Sequence, residues 1–189
     1  MLVYKQMDSS FLPQYDKIPM RYTVSSYYHI EKHNRGLQGF TLMEMPLEPY
    51  IKDFCATETV EDWRQWDLSN WAFFIAFDGQ KPIGAATVAS KTKEINMLDR
   101  RDNLAVLWDI RVDEAYKGQG VGQKLFDMAA DWSRVQGLVQ MKIECQNNNV
   151  PACKFYHKQG AVLSAINEYA YYNEPKYRHE AQFIWCLDL

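Results

Sequence analysis

One stretch limits the architecture more than any other. An apolar run, Leu104-Ala105-Val106-Leu107-Trp108-Asp109-Ile110-Arg111-Val112, leads through Lys117-Gly118-Gln119-Gly120-Val121-Gly122 into apolar positions at Val121, Leu125, Met128, Ala129, Trp132 and Val135. Spacings of three and four are the period of an amphipathic helix, so a helix is predicted over 121–135, stopping at Gly137. A strand delivered through a glycine turn to a helix belongs in an α/β layer, where the helix covers the apolar face of a sheet. The flanking sequence agrees. Asp78-Gly79 between two apolar runs marks a hairpin joining strands 71–77 and 82–89. Beyond the helix, 139–145 reads as a strand, Pro151 opens a second helix that Gly160 ends, and 161–166 and 183–187 supply two last strands. The order predicts a mixed α/β sheet with helices on its faces.

The first seventy residues are less sharply punctuated. Ser9 and Ser10 are expected to cap a short helix running to about Pro19, and Tyr22-Thr23-Val24 and Tyr27-Tyr28-His29-Ile30 have β-type composition. A turn is predicted over 35–39, a strand over Phe40-Thr41-Leu42, a proline-bounded segment from Pro46 to Pro49, and a short polar helix around Glu58 to Trp66. Nothing resembling a repeat or a Ser/Gly/Pro linker divides the 189 residues, so one domain over 1–189 is expected.

Composition narrows the function. With 21 Lys+Arg against 24 Asp+Glu the net charge is −3, which lacks the clustered basic residues that hold a phosphate backbone, and nucleic acid is disfavoured as a partner. The longest apolar run, Trp71 to Phe77, is far short of the ~18 residues of a spanning helix, so no membrane partner is expected. Residues 1–8 lack the apolar core of a secretory signal, and a cytoplasmic location is expected. Cys55, Cys145, Cys153 and Cys186 include no CxxC pair, and HExxH is absent, so reduced packed thiols and no metal are expected.

The glycine turn is the candidate chemical centre. It follows a strand and opens a helix, where unpaired backbone N–H groups and the helix dipole can receive phosphate oxygens. A plain strand-to-helix turn uses glycine as well, and spacing alone leaves both readings open. A Walker loop is excluded because no Lys-Ser/Thr pair follows Gly122 in register, and Gly118-x-Gly120-x-Gly122 is tighter than the dinucleotide fingerprint.

The turn, with Ile110 to Tyr116 before it and Lys124-Leu125 after it, resembles the acetyl-CoA signature of the GNAT superfamily of N-acetyltransferases, Arg/Gln-x-x-Gly-x-Gly/Ala, with Lys117 at the first position. Lysine keeps the charge there and loses the planar fork of donors. Asn149-Val150-Pro151-Ala152-Cys153-Lys154-Phe155-Tyr156, ending at Gly160-Ala161, is similar to a second motif of that family. Gly39 to Leu47, Leu107 to Val112, the Asn149 helix and Glu180 to Trp185 resemble the streptothricin acetyltransferase branch. The resemblance implies an α+β fold with a mixed, mostly antiparallel central sheet flanked by helices. It also implies acetyl-CoA as co-substrate, no metal, and a small-molecule amine, streptothricin, as acceptor. A homodimer is possible, since many relatives pair.

Site residues follow on the same terms. Ile110, Arg111 and Val112 are expected to hold the pantetheine arm and polarise the thioester through backbone N–H groups, with Lys117, Gly118, Gln119, Gly120, Val121, Gly122 and Gln123 around the pyrophosphate and Asn149 on the arm. An alkyl amine with a pKa near 10.4 is neutral in only about one molecule in ~2,500 at pH 7, so a carboxylate must take a proton; Asp109 is the first candidate and Glu144 the second. Tyr156 is the expected proton donor to the leaving thiolate. Glu44, Tyr27 and Trp108 are candidates for the acceptor's surroundings, with Glu48 and Tyr28 beside them, since carboxylates and rings suit ammonium groups. Polyamines, protein amino groups, or acyl-CoA sensing without catalysis are the alternatives.

Overall fold

The computed structural model describes residues 1–55 and 59–189. In chain order the elements are β1 (Leu2–Met7), α1 (Leu12–Tyr15), β2 (Arg21–Lys32), β3 (Phe40–Asp53), β4 (Ala72–Asp78), β5 (Lys81–Ser90), β6 (Leu104–Val112), α2 (Val121–Val135), β7 (Gln140–Gln146), α3 (Val150–Lys158), β8 (Val162–Asn167) and β9 (Gln182–Asp188). They form two compact units, one comprising 1–21, 53–143 and 187–189, the other 22–52 and 144–186.

In the first unit the strand order is β1-β4-β5-β6-β7. The pairings are antiparallel except β6 with β7, which runs parallel from Leu104↔Gln140 to Leu107↔Ile143. Helix α2 lies across β4, β5 and β6. Gly84 on β5 makes that possible: a Cβ there would stand 3.0 Å from Val121 Cγ1 and 3.1 Å from Leu125 Cδ1, so a side chain would lift the first turns of the helix off the sheet. The core of this unit gathers Leu12, Tyr15 and Ile18 with Trp63, Trp71, Phe73, Ile75 and Val106. Burying such side chains contributes roughly 1.5–3 kcal/mol each.

Strand β6 carries one irregularity that decides where its polar side chains go. Val88 pairs with Leu107 but Thr87 pairs with Asp109, leaving Trp108 as an extra residue, a β-bulge. Side chains normally alternate faces, and one extra residue shifts the alternation by one. Trp108 packs against the same core cluster as Leu104 and Val106, and Asp109 and Arg111 then turn to that side too, where they meet Tyr15 and Ile18.

In the second unit β2 and β3 form a two-stranded sheet, and the order β7-β9-β8 has β8 antiparallel to β9. Strand β7 alternates buried Met141, Ile143 and Cys145 with the half-exposed Gln140, Lys142, Glu144 and Gln146.

The predicted hairpin, β6, α2 and the proline-started α3 all form, the last two ending before left-handed Gly137 and Gly160. Three early expectations need correction. The cap near the N-terminus is Asp8, whose side chain accepts from Ser10 N at 2.8 Å, and the helical run ends at Tyr15, where the Asp16 N–H closes it on the Leu12 and Gln14 carbonyls. Strand β3 is one element of 14 residues that includes Pro46 and Pro49, tolerated because a two-stranded sheet leaves each strand an outer edge without ladder bonds. The polar helix is a 3₁₀ segment over Val60–Gln65 capped by Thr59, and Glu58 lies outside the described residues.

Candidate active site

After β6 the chain is anchored by Asp113, which accepts from Ala115 N at 3.1 Å and pairs with Lys81 Nζ at 2.7 Å. It then turns through Gly118 and Gly120, with φ of 75° and 82°. A Cβ at either would meet nothing within 4 Å, so glycine is there for its left-handed backbone, and the space before the turn is open. Gly120 caps α2 without a side-chain hydrogen bond, and the first intrahelical bond is Lys124 N to Gly120 O at 3.0 Å. The N–H groups of Val121, Gly122 and Gln123 therefore look outward at the positive end of a 15-residue helix, an arrangement suited to phosphate oxygens.

The side chains of this turn are locally engaged. Lys117 Nζ pairs with Glu114 Oε2 at 2.6 Å, Gln119 Nε2 donates to Ala115 O at 2.9 Å, and Gln123 Nε2 donates to Asp127 Oδ1 at 2.8 Å. Ile110, Arg111 and Val112 pair with Ala86, Ala85 and Gly84 on β5, and alternate backbone groups of such a strand face away from that partner.

Asp109 sits in a buried cluster. Both its oxygens accept from Arg111, Oδ1 also accepts from Tyr15 OH at 3.0 Å, and Thr87 Oγ1 donates to Tyr15 OH at 2.9 Å. Burial, then the Asp109 charge, pushes the Tyr15 phenol well above its ordinary pKa. Burial works against the Arg111 charge, but Asp109 outweighs it and holds the guanidinium protonated. Trp108 packs edge-on against Trp66 and tilted against Trp71, with ring centroids 5.0 and 5.4 Å away.

The other carboxylate, Glu144, lies on β7 in a different setting. Its Oε1 accepts from Tyr171 OH at 2.7 Å; Gln146 Nε2 donates to Tyr171 OH at 3.2 Å, and Tyr22 OH donates to Gln146 Oε1 at 3.4 Å. The polar row continues to Asn148, whose Nδ2 donates to Glu180 Oε1 at 3.0 Å and to Tyr50 OH at 3.1 Å, and Glu180 pairs with buried Lys52. Burial, then Glu144, pushes the Tyr171 phenol well above its usual value, so Tyr171 is a standing donor. Sequence reasoning named none of Tyr171, Gln146, Tyr22, Asn148, Glu180 or Lys52 as a site residue. The period-two row Glu144, Gln146, Asn148 was the available signal.

Asn149 caps α3, its Oδ1 accepting from Ala152 N at 3.3 Å, and Tyr156 is buried on the same helix with Phe155 at a ring distance of 5.6 Å. Glu44 accepts from Ser26 Oγ at 2.9 Å and pairs with Lys154 at 2.6 Å; the bonds from Lys154 and Ser26 hold its carboxyl below the ordinary range. Tyr27 and Tyr28 line a cavity of about 310 Å³ with His29, Asn147, Tyr169 and Glu180. Among the described residues no group of three or more His, Cys, Asp or Glu gathers as a metal site would require, and no helix is long and apolar enough to cross a membrane.

The family described as "Acetyltransferase (GNAT) family" matches residues 40–161. A streptothricin acetyltransferase of Escherichia coli is 28% identical over 148 residues, covering 78% of this chain and 76% of the relative. A Bacillus anthracis protein provisionally assigned as a streptothricin acetyltransferase, solved at 1.6 Å with acetyl coenzyme A, matches the whole of both chains with a TM-score of 0.75 and 25% identity. The structure of nourseothricin acetyltransferase shares the fold at 20% identity, covering 99% of this chain and 98% of that one with a TM-score of 0.77.

Proposed function

Since this chain belongs to the GNAT family of acetyltransferases, matched over residues 40–161, we propose that it transfers the acetyl group of acetyl-CoA to a primary amine of streptothricin, in its β-lysine moiety. The agreement of the relatives carries the reading: the Escherichia coli relative aligned with 78% of the chain acts under that name, and the Bacillus anthracis neighbour binds acetyl coenzyme A. The open turn before α2 supports the donor half, because Gly118 and Gly120 leave room for a pyrophosphate at outward N–H groups.

Each residue then has a chemical task. Backbone groups of Ile110 to Val112 hold the pantetheine arm and polarise the thioester carbonyl. Asn149, with Oδ1 committed to its cap, keeps Nδ2 for the cofactor. The amine's lone pair attacks the carbonyl carbon, the carbon–sulfur bond breaks, and Tyr156 donates a proton to the departing thiolate. The proton lost by the amine goes to a carboxylate, directly or through water. Glu144 suits that task better than Asp109, because its partner is a neutral phenol whereas Asp109 is matched to a guanidinium. Tyr27 and Tyr28 offer rings to the acceptor's further ammonium groups.

Thiol release from acetyl-CoA with streptothricin, spermidine, lysine and a peptide amine as parallel acceptors tests the reading. Rapid release with streptothricin alone is expected. Release with another amine alone keeps the chemistry and removes the antibiotic, while tight acetyl-CoA binding without release from any acceptor points to a sensor. Tyr156→Phe is expected to lower turnover by about 10²-fold or more with acetyl-CoA binding intact.

A further inference from the structure

Glu144 is held by a phenol and not by a cation. Its Oε1 takes a 2.7 Å bond from Tyr171, and no lysine or arginine pairs with it among the described residues. Its Oε2 accepts no hydrogen bond there, and the side chain is half-exposed on the polar face of β7. One oxygen is held and the other is open, as a group that receives a proton requires.

The chain behind it has a fixed sense. Gln146 Nε2 donates to the Tyr171 oxygen, which leaves the phenolic proton directed at Glu144, and the Gln146 Oε1 accepts from Tyr22. The Gln146 and Tyr171 donors point toward Glu144, while the Tyr22 hydroxyl also lies 3.5 Å from Asn148 Oδ1. The three residues come from β2, β7 and the segment between β8 and β9, all within the second unit. Tyr171 cannot serve as a base itself, since burial and Glu144 keep its phenol protonated.

We infer that Tyr171 is a positioning residue: its hydroxyl, oriented by Gln146, fixes Glu144 Oε1 and leaves Oε2 to take the acceptor's proton. The inference rests on Glu144 being the proton acceptor of the proposed reaction. The ionisable groups around this pair are Tyr171 itself, Tyr22 from β2, Glu180 before β9, Cys145 beside Glu144 on β7, and Cys153 on α3, which faces Cys145 at 3.5 Å.

The test combines a titration with a rate profile. Carbon-13 NMR follows the Glu144 carboxyl carbon, identified by its loss in Glu144→Gln, and kcat/KM for streptothricin, or for whichever of spermidine and lysine is turned over, is measured against pH. Tyr171→Phe removes a donor to the charged form, so the Glu144 midpoint and the acid limb of the profile both rise by roughly one pH unit, with the acetyl-CoA KM within about twofold of the parent. Gln146→Met, which keeps the phenol but frees it to rotate, moves both the same way by less and serves if Tyr171→Phe does not fold. An unmoved Glu144 midpoint overturns the inference while leaving Glu144 as base. A raised midpoint with an unmoved acid limb, or a Glu144→Gln variant that keeps full turnover, removes Glu144 from the reaction and Tyr171 with it.

Discussion

Two strand carboxylates in this chain each accept a hydrogen bond from a tyrosine, Asp109 from buried Tyr15 at 3.0 Å and Glu144 from half-buried Tyr171 at 2.7 Å, yet their surroundings differ in kind. Asp109 is 6% exposed and its charge is matched by Arg111, which is itself 9% exposed. Glu144 is half-exposed and, among the described residues, accepts from a neutral phenol and pairs with no cation. A carboxylate locked to a buried guanidinium has its charge balanced for the life of the fold, and protonating it would strand the guanidinium. A carboxylate held by a phenol can gain and lose a proton without leaving an uncompensated ion. The difference separates a group that braces β6 from one free to do acid–base work.

The sharpest way to break the comparison is to remove Asp109. Asp109→Ala leaves Arg111 buried without a counter-charge and is expected to destabilise the chain by about 3–5 kcal/mol, read as a lower urea midpoint. Adding Arg111→Met to the same chain recovers part of that loss, because no ion then remains buried. Full stability with a rate loss mainly at neutral pH would make Asp109 the proton acceptor and invert the comparison. Tyr15→Phe is a milder probe. It removes the donor to Asp109 and the acceptor for Thr87, costing about 1–2 kcal/mol, and leaves the pH–rate profile in place, where Tyr171→Phe moves it. A shifted profile in Tyr15→Phe would erase the distinction between the clusters.

The sequence made one half of this contrast readable and hid the other. Strands β4 to β6, helix α2 and helix α3 are written in local signals: an Asp-Gly turn, apolar periodicity, and Pro151 and Gly160 as punctuation. Strand β3 escaped because 12 of its 14 residues are exposed, so no alternation of burial marks it, and its two prolines read as a break. The bulge at Trp108 escaped for another reason. It exists only in the register between β5 and β6, and without it Asp109 is expected on the opposite face from Trp108. Glu144 was legible as a candidate, but Tyr171 lies in the irregular stretch between β8 and β9, whose residues carry no period that ties them to β7. The glycine turn was legible because its chemistry is backbone chemistry, fixed by where glycine stands.

A third carboxylate, Asp113, supplies the surface limit of the comparison. It pairs with Lys81 at 2.7 Å and caps the 3₁₀ turn before Gly118, but the Lys81 side chain is 59% exposed, so water and salt screen the pair. The hydrogen bond from Lys81 holds the Asp113 carboxyl below its ordinary range. A depressed folded-state pKa contributes stability that is present above the unfolded value near 3.9 and is lost as pH falls through the folded value. Asp113→Asn keeps an oxygen for the cap and loses only the charge. At pH 7 and low salt its thermal midpoint is expected to fall by about 1–2 °C, the smallest change of the three, and the deficit should close at high salt and below the folded-state pKa. A loss that persists in high salt, or a raised acetyl-CoA KM, would show that Asp113 holds the glycine turn through its charge rather than its cap.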